Sequence, residues 1–286
     1  MPPRDGYITG VPCWVDTSHP DPGAVLPFYR GVFGWEFEDA MPPDAGGNYF
    51  MAHINDGVAA AIGSSPPGAP PFARWNTYIW VDDAEDAVSK ARNAGGTLAM
   101  EPIDVMDAGR MAVLVDPEGA TFCVWQPKTN KGATVVNEHG ALNFNNLATR
   151  DPEAAQVFYG AVFGWKILPL PSGMVWTLST YGDHLEQRTP GLRAQMAQMG
   201  APDGFIDVVA ALDPIEDDDT DTRAHWSVTF GINDVQAAAS RACELGGEVV
   251  RGPVDVPWSR QAVIRDPQGA TFTASQFVME NRDITA

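Results

Sequence analysis

An eight-residue pattern occurs twice in the chain and constrains its fold more than any other feature. The copies are Phe28-Tyr-Arg-Gly-Val-Phe-Gly-Trp35 and Phe158-Tyr-Gly-Ala-Val-Phe-Gly-Trp165, identical at six of eight positions and 130 residues apart. An Asp-Pro step precedes each copy, and Asp at the N-cap with Pro at the first helical position is typical of a helix start. The glycine before each tryptophan can adopt the positive φ that ends a helix. The pattern predicts a duplicated unit built around a capped helix.

Two further pairs of segments repeat downstream of these helices. Trp75-Asn-Thr-Tyr-Ile-Trp-Val-Asp-Asp83 corresponds to Trp226-Ser-Val-Thr-Phe-Gly-Ile-Asn-Asp234, and Asp116-Pro-Glu-Gly119 corresponds to Asp266-Pro-Gln-Gly269. Proline at the second turn position and glycine at the fourth indicate a tight connection between antiparallel strands. Each half therefore reads twice as a strand, a helix and further strands. We predict an α+β protein of four βαβββ modules.

The repeats also predict the domain boundaries. We expect a first domain at 1–130, a polar linker at 131–140 and a second domain at 141–286. The offset between matching segments grows from 130 to 151 residues, which places a helical insertion at about 183–222 in the second domain. This insertion is either a lid over a pocket or a surface embellishment, because long loop insertions serve both purposes.

The overall composition excludes several classes of partner. A net charge of −19 leaves no basic surface for nucleic acid or for anionic membranes. No apolar run reaches the length of a membrane span, and the first residues lack the pattern of a signal peptide. Three cysteines without metal-type spacing make a disulfide framework improbable. We therefore predict a cytoplasmic protein, a monomer or a homodimer, that contacts neither nucleic acid nor membrane.

Taken together, these motifs resemble the vicinal oxygen chelate superfamily, which includes glyoxalases, bleomycin-resistance proteins and extradiol dioxygenases. The resemblance covers nearly the whole chain except the insertion. Trp14-Val-Asp16, Trp75-Asn-Thr-Tyr78 and Asp107-Ala-Gly-Arg-Met111 are similar to a duplicated, actinobacterial glyoxalase-like branch. It implies two tandem glyoxalase-like domains with curved mixed sheets, and it suggests a natural-product context.

The same resemblance allows a test for a bound metal. In catalytic relatives, one ligand is a His seven residues before the Asp that starts the helix, and another is a Glu seven residues after the Asp of the turn. The residues at these positions are Trp14, Asn76, Phe144, Ser227, Cys123 and Thr273. None is His, Asp or Glu, which are the ligands that such metals need. We therefore predict a metal-free member without another cofactor.

If the family's geometry holds, strand alternation identifies the side chains that face each cavity. The predicted ligand-binding residues are Trp14, Asn76, Tyr78, Trp80, Trp125, Phe144, Asn146, Ser227, Thr229 and Thr273. Mostly apolar, aromatic walls with a few polar groups suit a planar organic ligand. The alternative is that the tryptophans are ordinary core residues.

Two residues are candidates for catalysis. Asp16 lies on the same predicted face as the aromatic residues, where burial is expected to raise its pKa toward that of a general base. The alternative is a hydrogen bond to the backbone or contact with solvent at a strand end. Cys123 is a weaker candidate, as a nucleophile, because the sequence places no base beside it.

Three functions remain open at this point. The first is metal-independent binding, with conversion left open, of a small planar aromatic metabolite of natural-product or antibiotic type. The second is a glyoxalase- or lyase-type enzyme with Asp16 as its base. The third is a structural or interaction protein with filled pockets. If the chain is an enzyme, we expect a lyase, an isomerase or a biosynthetic tailoring enzyme without a bound metal.

Overall fold

The computed structural model describes residues 4–44, 46–66, 68, 73–170 and 173–284. Within them, the strands are β1 Pro12–His19, β2 Glu36–Asp39, β3 Tyr49–Ile54, β4 Gly57–Ser64, β5 Arg74–Trp80, β6 Thr97–Val105, β7 Gly109–Val115, β8 Thr121–Pro127, β9 Leu142–Thr149, β10 Lys166–Leu170, β11 Gly173–Thr177, β12 Val208–Pro214, β13 His225–Gly231, β14 Glu248–Val256, β15 Ser259–Arg265 and β16 Thr271–Phe277. The helices are α1 Pro22–Phe33, α2 Ala84–Asn93, α3 Pro152–Phe163, α4 Tyr181–Arg188, α5 Leu192–Gln198 and α6 Val235–Glu244. Short 3-10 helices lie at Phe205–Asp207 and Met279–Asp283.

These elements form four modules in chain order. Modules 1 to 4 contain β1–β4 with α1, β5–β8 with α2, β9–β12 with α3 to α5, and β13–β16 with α6. The strands form two eight-stranded mixed sheets, ordered β2-β3-β4-β1-β5-β8-β7-β6 and β10-β11-β12-β9-β13-β16-β15-β14. Within each module the first strand pairs in parallel with the last, and the other pairs are antiparallel. The predicted α+β class and its four βαβββ modules are confirmed.

The repeated helices begin and end where their sequence signals predict. Asp21 and Asp151 each accept a hydrogen bond from the backbone N–H three residues further on, at 3.1 and 2.9 Å. Each carboxylate thereby satisfies one of the unpaired donors of the first turn. Gly34 and Gly164 end α1 and α3 with φ of 76° and 77°, a conformation that other residues adopt only at a cost.

The chain also divides into two compact units, which do not follow the halves of the sequence. One contains residues 14–77, 133–144 and 227–286, and therefore modules 1 and 4; we call it unit 1/4. The other contains residues 1–13, 78–132 and 145–226, and therefore modules 2 and 3; we call it unit 2/3. The segment predicted as a linker contributes to a core, because Ala133 and Val135 are buried.

Aromatic side chains from the repeated helices build the core of each unit. In unit 1/4, Phe33 of α1 lies with its ring centroid 4.9 Å from that of Phe230 and 5.1 Å from that of Phe272. In unit 2/3, Phe158 of α3 lies 6.2 Å from Phe122 in an edge-to-face arrangement. All five rings are buried. Each helix therefore packs on strands that come from the other half of the sequence.

The helical insertion is shorter than its predicted range. Helices α4 and α5 lie between β11 and β12, so the range 183–222 also contains a strand of the second sheet. The apolar run Val208-Val-Ala-Ala-Leu212 becomes a strand because it pairs with both β11 and β9. That pairing depends on distant segments, which local sequence does not report.

The described helices include none that is long and apolar enough to cross a membrane.

Candidate functional site

Strand β1 carries different chemistry on its two faces, because successive side chains of a strand point in opposite directions. The even-numbered residues Trp14, Asp16 and Ser18 form hydrogen bonds with Tyr49 or Asn76. The odd-numbered residues lie on the face that packs toward α1. The candidate site is on the even-numbered face.

Asp16 is the centre of a hydrogen-bonded group within unit 1/4. The amide of Asn76 donates to its Oδ1 at 2.8 Å, and the hydroxyl of Tyr49 donates to its Oδ2 at 2.9 Å. The indole N–H of Trp14 donates to the Tyr49 hydroxyl at 3.0 Å. Asp16 is only 6% exposed. We call Trp14, Asp16, Tyr49 and Asn76 the Asp16 cluster.

Tyr49 joins this cluster because of how β3, β4 and β1 pair. Tyr49 opens β3 opposite Gly63 of β4, and a Cβ atom at Gly63 would lie 2.9 Å from the tyrosine ring. Asp16 lies opposite Ala61 of the same strand. Two small residues on β4 therefore leave the space that the ring fills. Sequence reasoning missed Tyr49, since nothing near it in the chain reports the register of β3.

The arrangement gives each oxygen of the Asp16 carboxyl group a hydrogen-bond donor. Hydrogen bonds donated to a carboxylate stabilise its charged form and offset the cost of burial. Because each oxygen of Asp16 accepts one of these bonds, the orientation of the carboxyl group is fixed. Such a group can accept a hydrogen bond from a hydroxylated ligand or take a proton from a carbon acid.

Four predicted residues lie together in unit 2/3. Tyr78 of β5 is opposite Cys123 of β8, and its ring lies 6.3 Å from that of Trp125, edge to face. Trp80 lies 5.9 Å from the ring of Tyr7. Tyr78, Trp80, Cys123 and Trp125 are each less than a tenth exposed. Protein groups therefore cover most of these side chains, and their part in ligand binding stays a prediction.

The remaining predicted residues lie in modules 3 and 4. Asn146 of β9 donates to Asp213 of β12 at 3.1 Å within unit 2/3. Thr229 and Thr273 lie opposite each other on β13 and β16 in unit 1/4. Two more are half-buried: Phe144 and Ser227. Asn146 occupies the position of Asp16 in the repeat, so this second group has an amide where the first has a carboxylate.

A second buried network lies on the odd-numbered face of β1. Nε2 of His19 lies 2.7 Å from Oδ2 of Asp266, and the hydroxyl of Tyr29 donates to the same oxygen at 2.7 Å. Oγ1 of Thr17 lies 3.2 Å from Nδ1 of His19. All four residues are buried. No local signal in the sequence indicates this contact of His19, because its partner is 247 residues away.

The equivalent place in unit 2/3 has no histidine. The hydroxyl of Tyr159 donates to Oδ2 of Asp116 at 3.0 Å and accepts from the indole N–H of Trp226 at 2.9 Å. Burial raises the pKa of Asp116, although several hydrogen bonds oppose it. Each repeated helix thus places its tyrosine on the aspartate of an Asp-Pro-x-Gly turn, which explains why the two motifs occur together.

The residues at the family's ligand positions do not fit a divalent metal. The side-chain nitrogens of Trp14 and Asn76 act as hydrogen-bond donors and have no lone pair for a metal, so the amide oxygen of Asn76 is the one donor atom that these two side chains could give to a metal. Asp16 is the one carboxylate of its cluster. Across the part of the chain that the structure describes, no group of three or more His, Cys, Asp or Glu residues is placed to hold a metal ion.

Comparisons with known proteins agree with this architecture. A family model for a glyoxalase-like domain matches residues 14–125 and again 143–275. CFP32 of Mycobacterium tuberculosis, which carries a provisional description as a glyoxylase, is 38% identical over 278 residues, covering 96% of this chain and 97% of that one. The anthracycline biosynthesis protein DnrV of Streptomyces peucetius is 34% identical over 289 residues, covering 93% of both chains.

Solved structures share the fold at low sequence identity. The Mn(II)-bound glyoxalase from Novosphingobium aromaticivorans has a TM-score of 0.57 at 13% identity, covering 94% of this chain and 83% of that one. The 2,3-dioxygenase LapB from Pseudomonas sp. KL28 has a TM-score of 0.57 at 16% identity, covering 94% and 93%. The chain therefore belongs to the glyoxalase-like domain family of the vicinal oxygen chelate superfamily, with two copies of the domain.

Proposed function

We propose that this protein binds a small, planar, hydroxylated aromatic metabolite at the Asp16 cluster, and that it does so without a metal. The glyoxalase-like fold and the relationship to anthracycline biosynthesis proteins support binding or conversion of a small molecule. The aromatic class of the ligand and the independence from metal are our proposal.

One observation carries the proposal. Where metal ligands are expected, the chain has Trp14 and Asn76, and both are hydrogen-bonded into a group centred on the Asp16 carboxylate. An indole offers a flat apolar surface, and a carboxylate accepts a phenolic hydrogen. Indole and carboxylate together match a flat ring system with hydroxyl groups at its edge.

Calorimetric titration with 1,8-dihydroxyanthraquinone tests this proposal. We expect saturable binding that Asp16→Asn weakens at least about tenfold, because a charge-assisted hydrogen bond is lost. Asp44→Asn is the matched control, since Asp44 is an exposed carboxylate of the same module. Circular dichroism shows whether each variant is folded.

The claim of metal independence needs its own measurement. We expect protein purified without chelator to contain far less than one equivalent of zinc, iron or manganese, and dialysis against EDTA to leave the binding constant unchanged. Absence of saturable binding, or equal binding by wild type and Asp16→Asn, would contradict the proposed site. Loss of binding in EDTA would contradict metal independence.

A second candidate function is supported by the same carboxylate. An ionised, oriented Asp16 could take a proton from a carbon acid and return it to a neighbouring carbon, which is the chemistry of an isomerase or of the first step of a lyase. We would then expect a pH–rate profile with one ionisation that Asp16→Asn removes. An unchanged rate in that variant would exclude Asp16 as the base.

The cytoplasmic location and the choice between monomer and homodimer stay predictions. Size-exclusion chromatography with light scattering would decide the oligomeric state.

A further inference from the structure

The N-terminal segment and helix α4 form a cationic group in unit 2/3 that the proposed function does not use. Nη2 of Arg4 donates to the hydroxyl of Tyr181 at 2.9 Å, and the guanidinium lies 5.0 Å from the centre of the Tyr7 ring. Arg188 forms an ion pair with Asp5. We call Arg4, Asp5, Tyr181, His184 and Arg188 the Arg4 cluster.

Two side-chain nitrogen atoms in this cluster are buried without a partner. Nη1 of Arg4 and Nε2 of His184 are both inaccessible to solvent, and neither has a hydrogen-bond partner among the described residues. Unpaired buried donors are uncommon in folded proteins because each loses its bonds to water without replacement. Two such atoms in one cluster indicate a place for an acceptor.

The charges of the cluster specify the sign of that acceptor. Burial lowers the pKa of His184, and the positive charges of Arg188 and Arg4 lower it further, while Asp5 opposes them. The imidazole is therefore neutral near pH 7. Arg4 and Arg188 against Asp5 leave one net positive charge, in a chain whose total charge is −19. An anion bound there would meet a local field opposite to that of the whole protein.

We propose that Arg4 and His184 bind the carboxylate of a small organic molecule. Nη1 of Arg4 and, in the tautomer that carries the proton there, Nε2 of His184 each offer one N–H to a carboxylate, whose single negative charge balances the net charge of the cluster. A phosphate would bring a third oxygen and additional charge. The rings of Tyr7 and Trp80, 5.9 Å apart, supply apolar surface on the side of Arg4. Such surroundings favour an organic acid.

Three of the five residues of this site lie on helix α4, which belongs to the insertion and not to the repeated fold. Helix α4 has no counterpart between β3 and β4, which are joined by a short turn at Asn55 and Asp56. The Asp16 cluster is in unit 1/4. A negative result at one of the two sites therefore does not contradict the proposal for the other.

Isothermal titration of the full-length protein with cyclohexanecarboxylate tests the proposal. This acid is not planar, which separates it from ligands of the Asp16 cluster. We expect saturable binding of the acid at pH 7, no binding of the uncharged cyclohexanecarboxamide, and weaker binding of inorganic phosphate. Asp16→Asn is expected to leave binding of the acid unchanged.

Substitutions locate the site. Arg4→Met and His184→Leu each remove a donor, and each is expected to weaken binding about tenfold or more. Arg193→Met is the matched control, because Arg193 lies on the neighbouring helix α5 and pairs with Asp183. Thermal melting checks that each variant is folded, and His184→Leu alone decides the question if Arg4→Met does not fold.

The pH dependence gives an independent readout. A bound carboxylate stabilises the imidazolium, so binding takes up a proton and the affinity is expected to rise from pH 8 to pH 6. His184→Leu should remove that rise. Absence of saturable binding, equal affinity in wild type and His184→Leu, or tighter binding of phosphate than of the acid would each overturn the proposal.

Discussion

Asp16 is a buried carboxylate that side chains of its own unit hold in place. Its two oxygens each accept a bond from a different strand, Asn76 on β5 and Tyr49 on β3. An unpaired carboxylate on that face would be expensive to bury, and a donor to each oxygen offsets that cost. The cost of burial is thus met by side chains of the same unit.

At the residue scale we expect Tyr49→Phe to lower the free energy of unfolding by about 1–2 kcal/mol, because Asp16 loses a donor and Trp14 loses an acceptor. Urea denaturation measures this change. In a double-mutant cycle with Asp16→Asn, the two substitutions should be non-additive by about 0.5 kcal/mol or more. Strict additivity would show that the Tyr49 hydroxyl and Asp16 do not interact in solution.

The buried Asp116 predicts a dependence of stability on pH. Because burial raises its pKa in the folded state, its contribution to stability is fully present below the unfolded pKa and is lost as pH rises through the folded value. The unfolded pKa of an aspartate is about 4, so the loss begins near that pH. Relative to Asp116→Asn, the free energy of unfolding of the wild-type protein should therefore fall as the pH rises from about 4 towards neutrality. Urea denaturation across this range measures the difference, and a constant difference would contradict a raised pKa.

At the scale of elements, the repeated helix and the Asp-Pro-x-Gly turn act as a pair. Tyr29 of α1 reaches Asp266, and Tyr159 of α3 reaches Asp116. The two contacts differ in their other partners. His19 also contacts Asp266, whereas Trp226 depends on the Tyr159 hydroxyl as an acceptor.

Because the helix and the turn each occur twice, the same Tyr→Phe substitution can be compared in the two units. We expect Tyr159→Phe to destabilise the protein by about 2–3 kcal/mol and Tyr29→Phe by about 1 kcal/mol. The first leaves Trp226 without its acceptor and Asp116 without its side-chain donor, while after the second Asp266 still has His19. Urea denaturation of the two variants compares them directly. Equal losses would mean that His19 does not compensate for the missing hydroxyl.

At the scale of the whole molecule, each compact unit needs both halves of the sequence. In unit 1/4, α1 of module 1 packs on Phe230 and Phe272 of module 4. In unit 2/3, α3 of module 3 packs on Phe122 of module 2. If the chain were cut between the halves, each aromatic cluster would lose the rings that the other half contributes.

We therefore expect residues 1–130 and residues 131–286 to fold poorly when each is produced alone. Exposure of buried aromatic rings should lead to aggregation or self-association, because large exposed apolar patches are not tolerated in soluble monomers. Production of both pieces together should restore a cooperative unfolding transition. Either piece alone as a stable monomer, by size-exclusion chromatography and circular dichroism, would contradict this expectation.

Much of the fold could be predicted from the sequence because its signals are local. Asp21 and Gly34 mark the ends of α1 through bonds and dihedral angles set within one or two turns. Asp16 and Asn76 were placed on one face by strand alternation and by the resemblance to a known family. These features depend on spacing along the chain, which the sequence states directly.

The partners that complete each site come from distant parts of the chain. Tyr49 reaches Asp16 through the register of β3, His19 meets Asp266 across 247 residues, and Arg4 meets Tyr181 across 177. The pairing of module 1 with module 4 also depends on the folded structure. The repeated segments are too similar for the sequence to indicate which copy each helix packs against. The modules and their caps follow from the local sequence, since backbone geometry and capping act over a few residues. Side-chain contacts between distant segments depend on packing that exists only once the chain has folded.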